Sequence, residues 1–202
     1  MKGFVYVVAR DFGFAPNPFG GYCTLATCKP KIRKSALVGD IIIGLSSRKS
    51  GNKLIYAMRV SEKITFNDYW YDIRFQFKKP VMNGSLVKTF GDNIYHFDEK
   101  SKNWFQLDSH HSLEGGQVNT INLNNDTKTD AVLISIDFYY FGINSIEIPK
   151  DLKKGIRVGR SHRNLREEKV ESIWKWLESE NTKGINGDPT QFHKGFIRYD
   201  GK

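Results

Sequence analysis

The stretch from Phe14 to Ser47, FAPNPFGGYCTLATCKPKIRKSALVGDIIIGLSS, constrains the fold most, because it sets aromatics, both cysteines and a basic run between two predicted strands. Pro16, Pro18, Gly20 and Gly21 forbid regular structure in its first half, since proline fixes φ and removes a backbone donor. A segment this long without regular structure inside a compact domain is functional or disordered. Phe14, Phe19, Tyr22, Leu25 and Ile32 give it apolar surface to bury, which predicts order. Pro30 suits the first turn of a short helix reaching Ala36, and Gly39-Asp40 reads as a turn into a strand over Ile41–Leu45.

Around this stretch the pattern is one of short strands with a few helices inserted. Residues 3–9, GFVYVVA, are β-branched and aromatic and read as a buried strand, as does Leu54–Val60, expected to pair with Ile41–Leu45. Thr65 with Asp68 predicts a capping box ahead of a short helix carrying Phe66, Tyr69, Trp70 and Ile73 at i, i+3, i+4 and i+7. Asn93–Leu107 predicts a hairpin, Asn119–Thr129 a surface loop and Ala131–Phe138 a strand. Val170, Ile173, Trp174 and Leu177 predict an amphipathic helix over Asn164–Ser179, with Asn164 and Glu167 as a capping pair. The expected organisation is one domain over residues 1–180 and an irregular tail over 181–202. The element pattern predicts an α+β fold around a small, partly closed mixed sheet.

Lys and Arg number 31 against 22 Asp and Glu, giving a formal net charge of +9, which suits a polyanionic partner. The excess is concentrated: Lys29–Lys53 and Lys150–Arg166 each hold seven basic residues and one acid. A solvated basic face is the plainer reading of such runs. No apolar run approaches the roughly 20 residues of a membrane span, and the opening apolar segment is short for a secretory signal, so a cytoplasmic protein without a membrane partner is expected. Cys23 and Cys28 are then expected as reduced thiols. No G-x-G-x-x-G or Walker loop occurs, and no cofactor is expected.

Three stretches carry candidate chemistry. In the first, Lys29, Lys31 and Arg33 can neutralise phosphates while Phe14, Phe19 or Tyr22 stacks on a base, an interaction worth roughly 1–3 kcal/mol per base; Asn17, Thr24 and Ser46 are candidate polar contacts. The second is Asp108-Ser109-His110-His111. Adjacent histidines on a strand face opposite ways; one of them, oriented by Asp108, can activate Cys23 or Cys28 as a nucleophile. The same groups can bind zinc, but a C-x4-C with a distant H-H matches no strong zinc spacing, and no metal is expected. The third is residues 155–166, GIRVGRSHRNLR, where Arg157, Arg160 and Arg163 recur every three residues around His162, as bidentate phosphate recognition favours.

NPFGGYCTLATCKPKIRKSALVGDIIIGLSS, followed by IYAMRVSEKITFNDYWYDIRF, DNIYHF, DSHHSLEGG and VGRSHR, resembles the nucleotide modification associated domain 2 family of bacteria and phages over roughly residues 4–165. The resemblance implies a role beside systems that make or handle modified bases in DNA, as reader or accessory enzyme. A looser similarity to the EVE and ASCH members of the PUA-like superfamily implies a small barrel of PUA/EVE type with peripheral helices, its base pocket lined from the long loop and the helix around Trp70. The expectation drawn from all of this is a protein that binds a nucleotide or a modified nucleobase, single-stranded or flipped, because extracting a base from a duplex costs a few kcal/mol. A Cys/His enzyme acting on such a base and a protein-interaction module are the rival expectations.

Overall fold

The computed structural model describes every residue except Arg157, Arg160 and Lys202. In chain order its elements are β1 (Gly3–Val7), β2 (Cys23–Leu25), α1 (Pro30–Ser35), β3 (Ile41–Leu45), β4 (Leu54–Arg59), β5 (Glu62–Ile64), α2 (Phe66–Tyr71), α3 (Leu86–Thr89), β6 (Tyr95–Asp98) and β7 (Asn103–Gln106). There follow α4 (Thr120–Asp126), β8 (Val132–Ser135), β9 (Asp137–Tyr140), α5 (Lys150–Lys153), β10 (Arg163–Leu165), α6 (Glu167–Glu180) and β11 (Gly184–Ile185).

A 6-stranded sheet runs in the order β10-β1-β3-β4-β9-β11, a 3-stranded sheet in the order β2-β8-β5, and β6 and β7 form the expected hairpin. β1 lies parallel to β3, and β3 pairs antiparallel with β4, the hairpin the sequence predicts. The chain passes from the large sheet to the smaller one between β4 and β5, and back again at Ile136 between β8 and β9. The result is a mixed α+β fold. No closed barrel forms among the described residues, so the expected PUA/EVE-type barrel is not confirmed; the large sheet ends in two short strands, β10 and β11, that leave it open. Among these residues no helix is long and apolar enough to cross a membrane.

Period-two alternation divides the core. Phe4, Tyr6, Ile42, Tyr56 and Met58 face the small sheet and α1, together with Cys23, Leu25, Ile32 and Leu133. Val5, Ile41, Ile43 and Ala57 face the opposite way, onto Val170, Ile173, Trp174 and Leu177 of α6. The helical stripe read from the sequence is therefore the face that closes the sheet. Asn164 is not its cap: it lies in β10, and Arg166 occupies the N-cap without a side-chain hydrogen bond. A third aromatic cluster gathers Phe12, Phe14, Phe66, Tyr69, Phe75, Phe90 and Tyr95 beneath α2 and the hairpin. The Thr65–Asp68 capping box is present in full.

Candidate functional site

Cys28 stands in the turn that carries the chain from β2 into α1. Its φ of 57° and the φ of 39° at Lys29 are both left-handed, a conformation that side chains other than glycine's rarely adopt and that persists only where surrounding contacts impose it. Those contacts are specific. The Cys28 amide donates to Asp126 Oδ1 at 2.7 Å, and the Cys28 carbonyl accepts from Arg33 Nε at 2.8 Å. Arg33 also donates to the carbonyls of Ala131 at 2.7 Å, Thr129 at 3.3 Å and Asp126, so one guanidinium ties α1 to the end of α4 and the start of β8. Burial lowers the pKa of Arg33 and Asp126 opposes that effect; an arginine stays charged through such a shift.

The thiol that this turn presents lies 3.8 Å from Nε2 of His111. The opposite ring nitrogen, Nδ1, bonds Asp126 Oδ2 at 2.7 Å, and the Tyr95 hydroxyl donates to the same oxygen at 3.0 Å. Asp126 is fully buried at the C-terminal end of α4, and both its carboxylate oxygens are occupied. His111 sits between the rings of Phe14, 4.6 Å away, and Tyr199, 5.5 Å away. Burial works against the charged imidazole, but Asp126 and Cys28 outweigh it and raise the His111 pKa to about 10. Ligand-type atoms of Cys28, His111 and Asp126 fall within 4.8 Å of one another. They do not make a metal cage: Nδ1 and the carboxylate are spent on each other and on Tyr95 and the Cys28 amide, which leaves the sulfur and Nε2 facing each other. That is the order of a nucleophile, a base and an orienting carboxylate.

Cys28, Lys29, His111 and His110 border a cavity of about 400 Å³ that is otherwise lined by Tyr6, Phe12 and Phe14, by Ile121, Asn122 and Asn125 of α4, and by Arg10 and Tyr199. The ammonium of Lys29 lies 4.6 Å from the centre of the Tyr6 ring. Burial lowers its pKa, with Cys28 opposing. His110 differs from its neighbour. Its Nδ1 bonds the carbonyl of Ile197, and burial together with the charge of His111 pushes its pKa down to about 3. His110 is thus neutral, with its proton on Nδ1.

The structure gathers five of the residues singled out from the sequence around this cavity: Phe14, Cys28, Lys29, His110 and His111. It sends the others elsewhere. Cys23 lies in β2, fully buried, and burial pushes its thiol pKa up. Arg33 is no surface phosphate ligand, since main-chain carbonyls take its donors. Asp108 pairs with Arg198 at 2.6 Å and does not orient a histidine. Asn17 and Thr24 belong to a separate buried network, and Ser46 bonds within its own loop, to Ser50 and Lys53. Tyr22 packs on Phe75, Phe19 on Phe192, and Trp70 on His96 beneath the Lys79 ammonium, none of them in the cavity lining. Lys31 is exposed, Arg163 lies in the edge strand β10 and His162 contacts Phe4. Arg157 and Arg160 lie outside the described residues.

Sequence reasoning missed Asp126, Tyr95, Arg10 and Tyr199. The predicted loop over Asn119–Thr129 is the helix α4, capped by Asn119, whose side chain accepts from the amides of Ile121 and Asn122. An asparagine followed by a short apolar alternation was the signal for it. Tyr199 belongs to the predicted irregular tail, which docks through its carbonyl on Asn122 and its amide on the His110 carbonyl, each at 2.7 Å.

A family model described as nucleotide modification associated domain 2 matches residues 1–196. No curated protein and no solved structure matches the chain.

Proposed function

The chain belongs to the nucleotide modification associated domain 2 family, and from that premise we propose that it is a cysteine-dependent enzyme acting on a nucleotide or a modified nucleobase. The family's description implies a role in nucleotide modification systems; the reaction is inferred from the site. One observation carries it: Cys28 Sγ, His111 Nε2, His111 Nδ1 and Asp126 Oδ2 form a relay, with gaps of 3.8 and 2.7 Å, that opens on a cavity of about 400 Å³. A protein that only reads a base has no use for an activated thiol.

The arrangement fits acyl transfer. His111 stands protonated beside the sulfur, the sulfur bonds to the carbonyl carbon of an amide or ester on the substrate, and the leaving amine or alcohol departs with the proton that His111 gives up. Water or an amine then attacks the thioester, His111 taking up its proton, and the starting pair is restored. Asp126 orients the His111 ring so that Nε2 faces the sulfur, and Tyr95 and the Cys28 amide keep Asp126 in place. The aromatic lining from Phe12, Phe14 and Tyr199 provides flat apolar surface for a base.

The test is rapid quenching and intact-mass measurement after mixing the protein with nucleotides that carry amide or ester substituents on the base. One covalent adduct on Cys28, absent in Cys28→Ala, is expected. Base-selective binding that leaves no adduct and no product would refute the enzyme reading and favour a reader that uses the same cavity.

A further inference from the structure

A second cavity of about 360 Å³ adjoins the first, and Arg10, Phe12, His110 and Tyr199 border both. We propose that this second cavity is a phosphate subsite, in which Arg10, Arg198 and Lys194 hold the phosphate of a nucleotide whose base lies in the cavity of Cys28. The proposal rests on the reading of the Cys28 cavity as a nucleotide site and names the charged end of its substrate.

Two of the three cations are fixed before any ligand arrives. Arg198 donates through Nη1 to Asp108 at 2.6 Å, the Ser109 carbonyl at 2.8 Å and Ser112 Oγ at 2.6 Å, while its Nε and Nη2 have no hydrogen-bond partner among the described residues. Arg10 is held by its ring contact instead, with its guanidinium 4.3 Å from the centre of Tyr199. A guanidinium positioned by one edge or face and open at the rest is suited to bidentate contact with phosphate oxygens, because little side-chain freedom remains to be lost on binding. Asp200 also lines this cavity, so the cations outnumber it without leaving the site purely basic.

The border between the two cavities has a different character. His110 is neutral there, its Nδ1 proton committed to the Ile197 carbonyl, so Nε2 remains an acceptor. An acceptor suits a hydroxyl or a ring N–H and repels phosphate oxygen. The sequence of surfaces from aromatic walls beside the thiol, through a neutral acceptor, to fixed cations matches base, sugar and phosphate in order.

The decisive experiment is a calorimetric titration of the full chain with deoxynucleoside 5′-monophosphates and with the corresponding nucleosides. Monophosphates should bind about tenfold or more tightly than nucleosides, and the double variant Arg10→Gln, Lys194→Gln should lose that margin with its urea midpoint unchanged. Equal affinities for the two ligand types, or full monophosphate affinity in the double variant, would overturn the proposal. A short single-stranded oligonucleotide gives a further arm: binding tighter than that of the monophosphate, and likewise weakened in the double variant, supports the subsite and assigns its phosphate to a nucleic-acid backbone. Cys28→Ser separates the two readings, since a phosphate subsite keeps its margin in that variant even if no covalent adduct ever forms on the wild type.

Discussion

Two buried carboxylates, Asp126 and Asp92, organise similar sets of neighbours toward opposite ends. Asp126 bonds a histidine, a tyrosine and the amide of a cysteine on a left-handed turn, and that cysteine faces a cavity. Asp92 accepts from Thr24 Oγ1 at 2.6 Å and Tyr69 at 2.7 Å, near a buried lysine and with Cys23 in the same core. Lys78 there donates to the Asn17 carbonyl at 3.0 Å, its Oδ1 at 2.7 Å and the Tyr22 carbonyl at 3.0 Å, which anchors the aromatic half of the long loop. Burial raises the pKa of Asp92, with Lys78 opposing, and lowers that of Lys78 to about 8. Composition is nearly shared; access is not. Both carboxylates are buried, but Asp92 has only core groups around it and holds a loop in place, whereas Asp126 reaches a cavity through His111 and Cys28 and can orient a base.

Breaking the sealed network should have the largest effect on folding. Lys78→Met removes the donor to the Tyr22 carbonyl and the Asn17 side-chain oxygen and leaves Asp92 without its nearby cation. A loss of about 3–5 kcal/mol is expected, as for removal of one partner from a buried charged set, read as a fall in urea midpoint. A midpoint within error of wild type would mean that the loop is held by aromatic packing alone.

The open network is broken most sharply at its base. His111→Ala should slow alkylation of Cys28 by iodoacetamide by about 100-fold at neutral pH, the lower end of what a positioned base contributes. Unchanged reactivity in a folded variant would remove His111 from the mechanism and make the Asp126 network as structural as that of Asp92.

Titration sharpens the contrast, because the groups shift in opposite directions. The His111 pKa is raised from 6.5 to about 10, so its stabilising contribution is complete below 6.5 and is lost as pH rises toward 10. The Lys78 pKa is lowered from 10.5 to about 8, so the folded state sheds that proton first and stability is gained as pH rises from 8 toward 10.5. Against His111→Gln, the wild type should therefore lose its stability margin between about pH 6.5 and 10; against Lys78→Met it should gain margin above about pH 8. Urea midpoints across that range decide both. His110, lowered from 6.5 to about 3, adds an acid limb in which stability falls as pH drops below 6.5.

The sequence disclosed those parts of the molecule that local pattern controls. The capping box at Thr65 and Asp68, the apolar stripe of α6 and the pairing of β3 with β4 were all readable, because neighbours in sequence decide them. Both members of the thiol–imidazole pair stood among the candidates, yet their third partner did not. Asp126 sits on a helix of asparagines whose propensity favours a loop. Bonds from Asn122 to the carbonyls of His111 and Tyr199, and from the Asn119 amide to Gln106 Oε1, supply the tertiary support. Arg33 shows the same limit from the other side. A basic run reads as a surface, and only carbonyls brought from Asp126, Thr129 and Ala131 turn one member of that run into an internal clasp.

The smallest effect expected is at Cys23, where the comparison is between two thiols and nothing else. Cys23 is fully buried in β2, and desolvation pushes its pKa up; Cys28, five residues on, lies beside an imidazole at a cavity. Thiolate chemistry needs both access and a proton acceptor, and Cys23 has neither. One equivalent of iodoacetamide per folded chain should therefore be incorporated, with peptide mapping placing it on Cys28. Cys23→Ala should leave the alkylation rate at its wild-type value, while the lost sulfur packing lowers stability by about 1 kcal/mol. Two equivalents at equal rates would mean that the core around β2 opens as readily as the cavity does, and the distinction between a sealed network and one that reaches a cavity would no longer describe this molecule.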